Sequence, residues 1–164
     1  MKESLPIILI TITISSIAGI SLASIKETLY TIPFLIIVIP ALNNMIGDFS
    51  CVLTSKLSTA FKMRYREMIG KMMLRIFIVA IFTSLYLGFL GWTLDQSITL
   101  FQALIIVFFT SMSLILVLIV VTYLLTVFLL EKNHDPDNVI IPIATAIADV
   151  LSVIVFVFMV RIVL

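Results

Sequence analysis

The sequence predicts an all-α integral membrane protein with five transmembrane helices, the second of them kinked or broken. Three observations carry that prediction. Of 164 residues, 62% are hydrophobic and 12% charged, with a mean hydropathy of +1.31; a soluble domain carries about 45–50% apolar and about 25% charged residues. The apolar residues fall into five stretches, each near or above the roughly 20 residues that cross a bilayer as a helix. Lysine and arginine are concentrated in one short connection, which is how membrane proteins encode orientation. At this length the stretches form one membrane domain over residues 1–164, with no room for a soluble catalytic or regulatory domain.

The first stretch, Leu5–Ser24, follows Lys2 and carries "SLA" before Ser24, features shared with a cleavable signal peptide. Its hydroxyl residues Thr11, Thr13, Ser15 and Ser16, and the small pair Gly19 and Ala23, fit better with a retained helix that packs against others. The second, Thr31–Phe61, starts as a clean apolar run and is interrupted by Pro40 and Gly47, where a kink or break is expected. Beyond the interruption Asn44, Asp48, Cys51, Ser55 and Thr59 recur every three or four residues and so share one helix face, with Ile46, Phe49, Leu53 and Leu57 opposite.

The third stretch, Leu74–Leu94, follows the basic cluster Lys56, Lys62, Arg64, Arg66, Lys71 and Arg75. By the positive-inside rule that connection is cytoplasmic. In a plasma membrane this puts the N-terminus inside, Asp95 outside, the "EKNHDPDN" loop inside and the C-terminus outside. A contact with anionic membrane lipid can coexist with this topology signal. The fourth stretch, Ile98–Leu130, is too long to cross upright and should tilt or project. The fifth, Val139–Leu164, follows "DPDN", where Asp137 or Asn138 can cap the helix; Pro142 falls about one turn in, where its missing N–H matters little.

Asp149 stands in the middle of this last stretch. A carboxylate at a helix centre in lipid costs roughly 2.5–3.5 kcal/mol on insertion scales. On a helical wheel Asn138, Pro142, Thr145, Ser152 and Phe156 fall within about 60° of it, a stripe that is polar from the cytoplasmic end to mid-membrane and bulky and apolar beyond. Ala144 and Ala148 lie to one side, small enough for another helix to pack closely. A polar stripe at this depth faces protein or water rather than lipid. Arg75 and Arg161 fall near span ends, so the partner expected for Asp149 is a passing cation or a proton; the bland alternative is a carboxylate satisfied by Ser and Thr hydroxyls that only fixes helix packing. Oxygen ligands are hard and suit Mg²⁺, Ca²⁺ or Mn²⁺. One chain offers too few of them for a closed cage, whereas a two-fold dimer would pair two copies of Asp149 across its axis. Two carboxylates with retained waters suit Mg²⁺, which dehydrates reluctantly, better than Ca²⁺.

The stretches "PALNNMIGDFSCVLTSKLSTAF" and "DPDNVIIPIATAIADVLS" resemble the two signature stretches of the MgtE-type magnesium transporter membrane domain. They are closest to its eukaryotic solute-carrier relatives, and the five-span layout extends the resemblance over essentially the whole chain. The resemblance implies a two-fold dimer with a cation pathway at its interface, lined by the second and fifth helices. Asp149 matches the family's pore aspartate, which binds hydrated Mg²⁺, and Thr145 matches the position whose backbone carbonyl joins that site. Asn44 and Asp48 map onto the polar groups of the second helix. Asn138, Pro142, Ser152 and Ser55 are then expected along the pathway, Phe156 is a candidate hydrophobic gate, and Asp135 and Asp137 are where cations would come in from the cytoplasm. Bacterial members carry an N-terminal domain and CBS domains that sense Mg²⁺; this chain carries neither, so regulation is expected to be absent or built into the membrane part. Ile141 stands where bacterial members often have Asn, and Asp48 where relatives usually show Asn. A second carboxylate per subunit raises cation affinity or serves a coupling ion, Na⁺ or H⁺, and favours alternating-access exchange over a single-carboxylate channel.

Other features carry less. His134, the one histidine, lies beside Asp135 and Asp137 and is expected to be a solvated loop residue rather than a metal sensor. Met63, Met68, Met72 and Met73 suit flexible packing better than a soft-metal path, and the single Cys51 cannot form an internal disulfide. A net charge of +1 suggests no nucleic-acid partner. No nucleophile–base pair, phosphate loop or metalloprotease motif points to an enzyme. The sequence thus predicts a Mg²⁺ transporter acting as a homodimer, or with a hetero-partner of similar build. Its rivals are a passive Mg²⁺ channel, a scaffolding membrane subunit whose polar stripes bind a partner helix, and a proton-coupled carrier of a small organic cation.

Overall fold

Backbone amides find no water in lipid, so a chain this apolar has to close its hydrogen bonds within each segment. The computed structural model describes residues 9, 12, 13, 16, 19, 20, 22, 23, 26–63, 67–132 and 136–164, with the backbone alone at 28, 67, 68 and 136–138. These form a short helix α1 (Lys26–Thr31) and four long ones: α2 (Pro33–Lys62), α3 (Glu67–Leu94), α4 (Leu100–Glu131) and α5 (Pro136–Val163). No strand occurs among the described residues. Segments of α2 to α5 are each long and apolar enough to cross a membrane, as a multi-pass membrane protein requires, and they coincide with the second to fifth predicted stretches. Leu5–Ser24 lies largely outside the described residues; within it Thr13 Oγ1 donates to the Leu9 carbonyl at 2.9 Å and Ser16 Oγ to that of Ile12 at 2.9 Å.

One expectation needs correcting. Of the kink or break expected in the second stretch, the break does not occur: α2 runs as one 30-residue helix with Pro40 inside it. The proline ring removes a single amide, and it sits on the exposed side of the helix, where it displaces no neighbour. Breaking the helix outright would strand several backbone groups in hydrocarbon. The third helix also starts earlier than its hydropathy suggests, at Glu67 rather than Leu74, so Lys71 is a helical residue rather than a loop residue.

α2 touches α3, α4 and α5, and α4 touches α3 and α5. The two helices therefore form a central pair, with α3 on one flank and α5 on the other. Phe34, Leu35, Val38, Leu42 and Ile46 of α2 fill the main core together with Ile106, Leu114 and Ile115 of α4 and Ile140 and Phe156 of α5. A second cluster, Leu53, Leu57, Ile69 and Ile76, is packed by Met72 and Met73, which bears out the packing role of those methionines.

Without a hydrophobic force between helices in lipid, close contact depends on small residues. On α3 these are Ala80, Ser84, Gly88 and Gly91, all buried on one edge. A Cβ at Gly91 would lie 2.5 Å from Val38 Cγ2 and 2.8 Å from Phe34 Cε2, and one at Gly88 would lie 3.3 Å from Leu104 Cα. Gly91 thus fits against α2 and Gly88 against α4. Of the buried hydroxyls of α4, three bond within the helix, Ser111 to the Val107 carbonyl at 2.7 Å, Thr122 to Leu118 at 2.6 Å and Thr126 to Thr122 at 2.6 Å, while that of Thr110 finds no partner among the described residues. A capping box closes its N-terminus, with Thr99 and Gln102 exchanging backbone and side-chain bonds. At 32 residues, α4 is about 48 Å long at the standard rise, well beyond the roughly 30 Å hydrocarbon layer.

Candidate functional site

The two faces of α2 separate as its periodicity predicts. Ile46, Leu53 and Leu57 are buried and Phe49 half-buried, while Asn44, Asp48, Ser55 and Thr59 are exposed on the single protomer and Cys51 is half-buried. Thr59 spends its hydroxyl on the Ser55 carbonyl at 2.8 Å. The other polar side chains of the stripe are left facing outward from a membrane-spanning helix.

α5 differs. Every residue from Val139 to Val153 is buried or half-buried, because α5 lies against both α2 and α4. Ala144 and Ala148 are buried at 0% and 1% exposure, as the spacing predicts, and they let the neighbouring helices close in. Asp149 is half-buried, as are Thr145 and Pro142. The Thr145 hydroxyl donates to the Ile141 carbonyl at 2.8 Å, so its polar group is turned back onto its own helix.

Two contacts fix how α5 meets α2. The Ser152 hydroxyl reaches Asn43 Oδ1 on α2 and also the Asp149 carbonyl of its own helix, at 2.9 Å. Further along, a Cβ at Gly47 would lie 3.8 Å from Thr145 Cγ2. Rising numbers on α2 meet falling numbers on α5, so the helices run antiparallel, and the two contacts bracket Asp149 on one helix and Asn44 on the other. The polar residue of α2 that bonds across the seam is Asn43, which the sequence reading passed over. In the tandem pair only Asn44 lines up with Asp48 on the wheel, yet a step of about 100° separates adjacent residues, and α5 lies on the Asn43 side. Phe156, the candidate gate, is 1% exposed and belongs to the protomer core, and Ser152 is likewise 1% exposed. Asp135 and His134 lie outside the described residues, as do the side chains of Asp137 and Asn138.

On its other side α2 forms a groove with α3. One part, about 400 Å³, is lined by Met45, Asp48, Phe49, Val52, Arg75 and Val79 among others. Arg75 of α3 and Asp48 of α2 therefore share this groove. Among the described residues no three or more His, Cys, Asp and Glu side chains come together as a metal cage.

Residues 39–159 match the family model described as MgtE, divalent cation transporter. No curated protein and no solved structure matches the chain.

Proposed function

The chain belongs to the MgtE family of divalent cation transporters, and we propose that it moves Mg²⁺ across the membrane along a pathway at a two-fold dimer interface, with Asp149 as the central carboxylate. The observation that carries this reading is the α2 stripe. Asn44, Asp48 and Ser55 are exposed on a helix long and apolar enough to span the bilayer, and lipid is a poor environment for all three. A second protomer placing its own stripe opposite would line a wet, acidic path and resolve that misfit.

Asp149 sits between the two α2–α5 contacts, so its height is fixed against the same stretch of α2. In a dimer, two copies and their retained waters supply the hard oxygen ligands that Mg²⁺ prefers. Pro142 adds to these, since it has no N–H to offer the Asn138 carbonyl one turn earlier, leaving that oxygen available at the cytoplasmic end. Asp48 contributes a second carboxylate per protomer, which supports coupling to Na⁺ or H⁺.

The test is Mg²⁺ flux into liposomes holding purified protein, wild type beside Asp149→Asn, each with and without Na⁺ and pH gradients. Asn keeps the shape and removes the charge. The expected result is flux in the wild type and a fall of at least about tenfold in a folded, dimeric mutant, the factor that about 1.4 kcal/mol of lost cation binding produces. Equal flux in the two proteins would leave Asp149 a packing residue and sink the assignment. Flux indifferent to both gradients would replace the exchanger by a channel.

A further inference from the structure

The α2–α3 groove continues past Asp48 toward the ends of both helices. Its second part, about 500 Å³, is lined by Lys56, Thr59, Lys71 and Arg75 together with small and apolar residues, and no carboxylate is among the described side chains that line it. The two parts share Val52, Arg75 and Ile76, so they form one trough with an apolar arm and a basic mouth. We propose that this trough binds one anionic phospholipid, with its phosphate at Lys56, Lys71 and Arg75 and an acyl chain along Val52, Ile76 and Val79.

Charge and depth select that occupant. Lys56 lies about 9 Å of helix from the α2 C-terminus, and Lys71 and Arg75 about 6 and 12 Å from the α3 N-terminus, at the standard helical rise. That is the depth of a bilayer interface, where headgroup phosphates sit. All three cations are exposed, with the guanidinium able to grip two phosphate oxygens. The arm beyond Val52 leads into the hydrocarbon layer, where an acyl chain meets the apolar wall that Phe49, Ile76 and Val79 provide. Asp48 also lines that arm, inward of the basic mouth. A soluble polyanion satisfies the mouth but not the arm, and a neutral lipid the arm but not the mouth. The site does not depend on whether Asp149 meets a cation.

The experiment is native mass spectrometry of the full chain, purified in detergent and offered phosphatidylglycerol or phosphatidylcholine of the same acyl length. One phosphatidylglycerol should be retained per chain, with a preference over phosphatidylcholine of roughly tenfold to a hundredfold, as expected for three cations near a surface. Lys56→Gln/Lys71→Gln/Arg75→Gln should abolish the preference. Val52→Trp, which fills the trough and leaves every charge in place, should lower retention at least about tenfold. Millimolar inorganic phosphate should leave the lipid bound. Equal retention of the two lipids by wild type overturns the proposal without any variant having to fold. So does full retention in a folded Val52→Trp protein, displacement by phosphate alone, or a trough closed to lipid because a second copy of the chain covers it.

Discussion

α3 and α5 are both 28 residues long, both flank the α2–α4 pair, and neither makes more than slight contact with the other. Their surfaces have little else in common. α3 turns Ile78, Val79, Phe82, Leu85, Tyr86 and Phe89 outward, toward lipid, and meets its neighbours through Ala80, Ser84, Gly88 and Gly91. α5 exposes no residue fully between Val139 and Val153, and it carries Thr145, Asp149 and Ser152 where α3 carries glycine. One helix is held by shape alone, with lipid as its other neighbour. The other is enclosed on most sides and has polar groups to place. Hydropathy does not separate them, because both are apolar on average; what separates them is where the small and the polar residues fall around the wheel.

That contrast can be broken or sharpened by substitution. The largest effect on stability is expected at Phe156, which is enclosed on α5. Phe156→Ala should cost about 3 kcal/mol in a reversible unfolding measurement, at the low end for such a truncation because lipid does not penalise the apolar chain in the reference state as water does. A cost below about 0.5 kcal/mol would mean that Phe156 is not a core residue, and would favour its role as a gate. Next comes Gly91→Ala on α3. With its Cβ 2.5 Å from the stiff Val38 side chain, the strain should be about 1–3 kcal/mol, while Mg²⁺ flux per folded molecule stays unchanged. Reduced flux at full stability would show that the α3 contact does more than hold shape.

The seam of α5 is subtler. A double-mutant cycle of Ser152→Ala and Asn43→Ala should give a coupling near 0.6 kcal/mol and no more than about 1.7, the range measured for hydrogen bonds between helices in lipid. Zero coupling would remove the polar link between α2 and α5. The smallest effect is expected at Phe82, 69% exposed on the outer face of α3: Phe82→Ala should stay within about 0.5 kcal/mol. A larger loss would place a protein partner, not lipid, on that face.

Much of this was legible in the residues. Four of the predicted stretches are the four long helices, because a bilayer fixes the length of apolar run it needs. The exposed stripe of α2 and its buried back follow from a 3.6-residue period, and Ala144 and Ala148 announced a close helix contact. The remainder depends on neighbours. Pro40 suggested a kink or break because a proline interrupts a helix in water, and the break does not occur because lipid gives the freed backbone nothing better to bond. Hydropathy marks where a chain enters hydrocarbon rather than where its helix starts, so the third helix was expected from Leu74 when α3 in fact begins at Glu67. Asn43 was missed because choosing between tandem asparagines requires knowing on which side α5 lies. The small edge of α3 was readable as Ala80, Ser84, Gly88 and Gly91 at steps of four, four and three, but no motif drew attention to it.

The two contacts between α2 and α5 have a mechanical meaning. Asn43 with Ser152, and Gly47 beside Thr145, act as rivets at two heights, separated along α5 by about 10 Å at the standard rise. Two rods touching at two heights resist sliding past each other more than they resist swinging together. Asp149 lies between the two contacts, so in this arrangement its level against α2 is set from both sides. A stroke that kept both contacts while moving that carboxylate across the membrane would carry α2 with it.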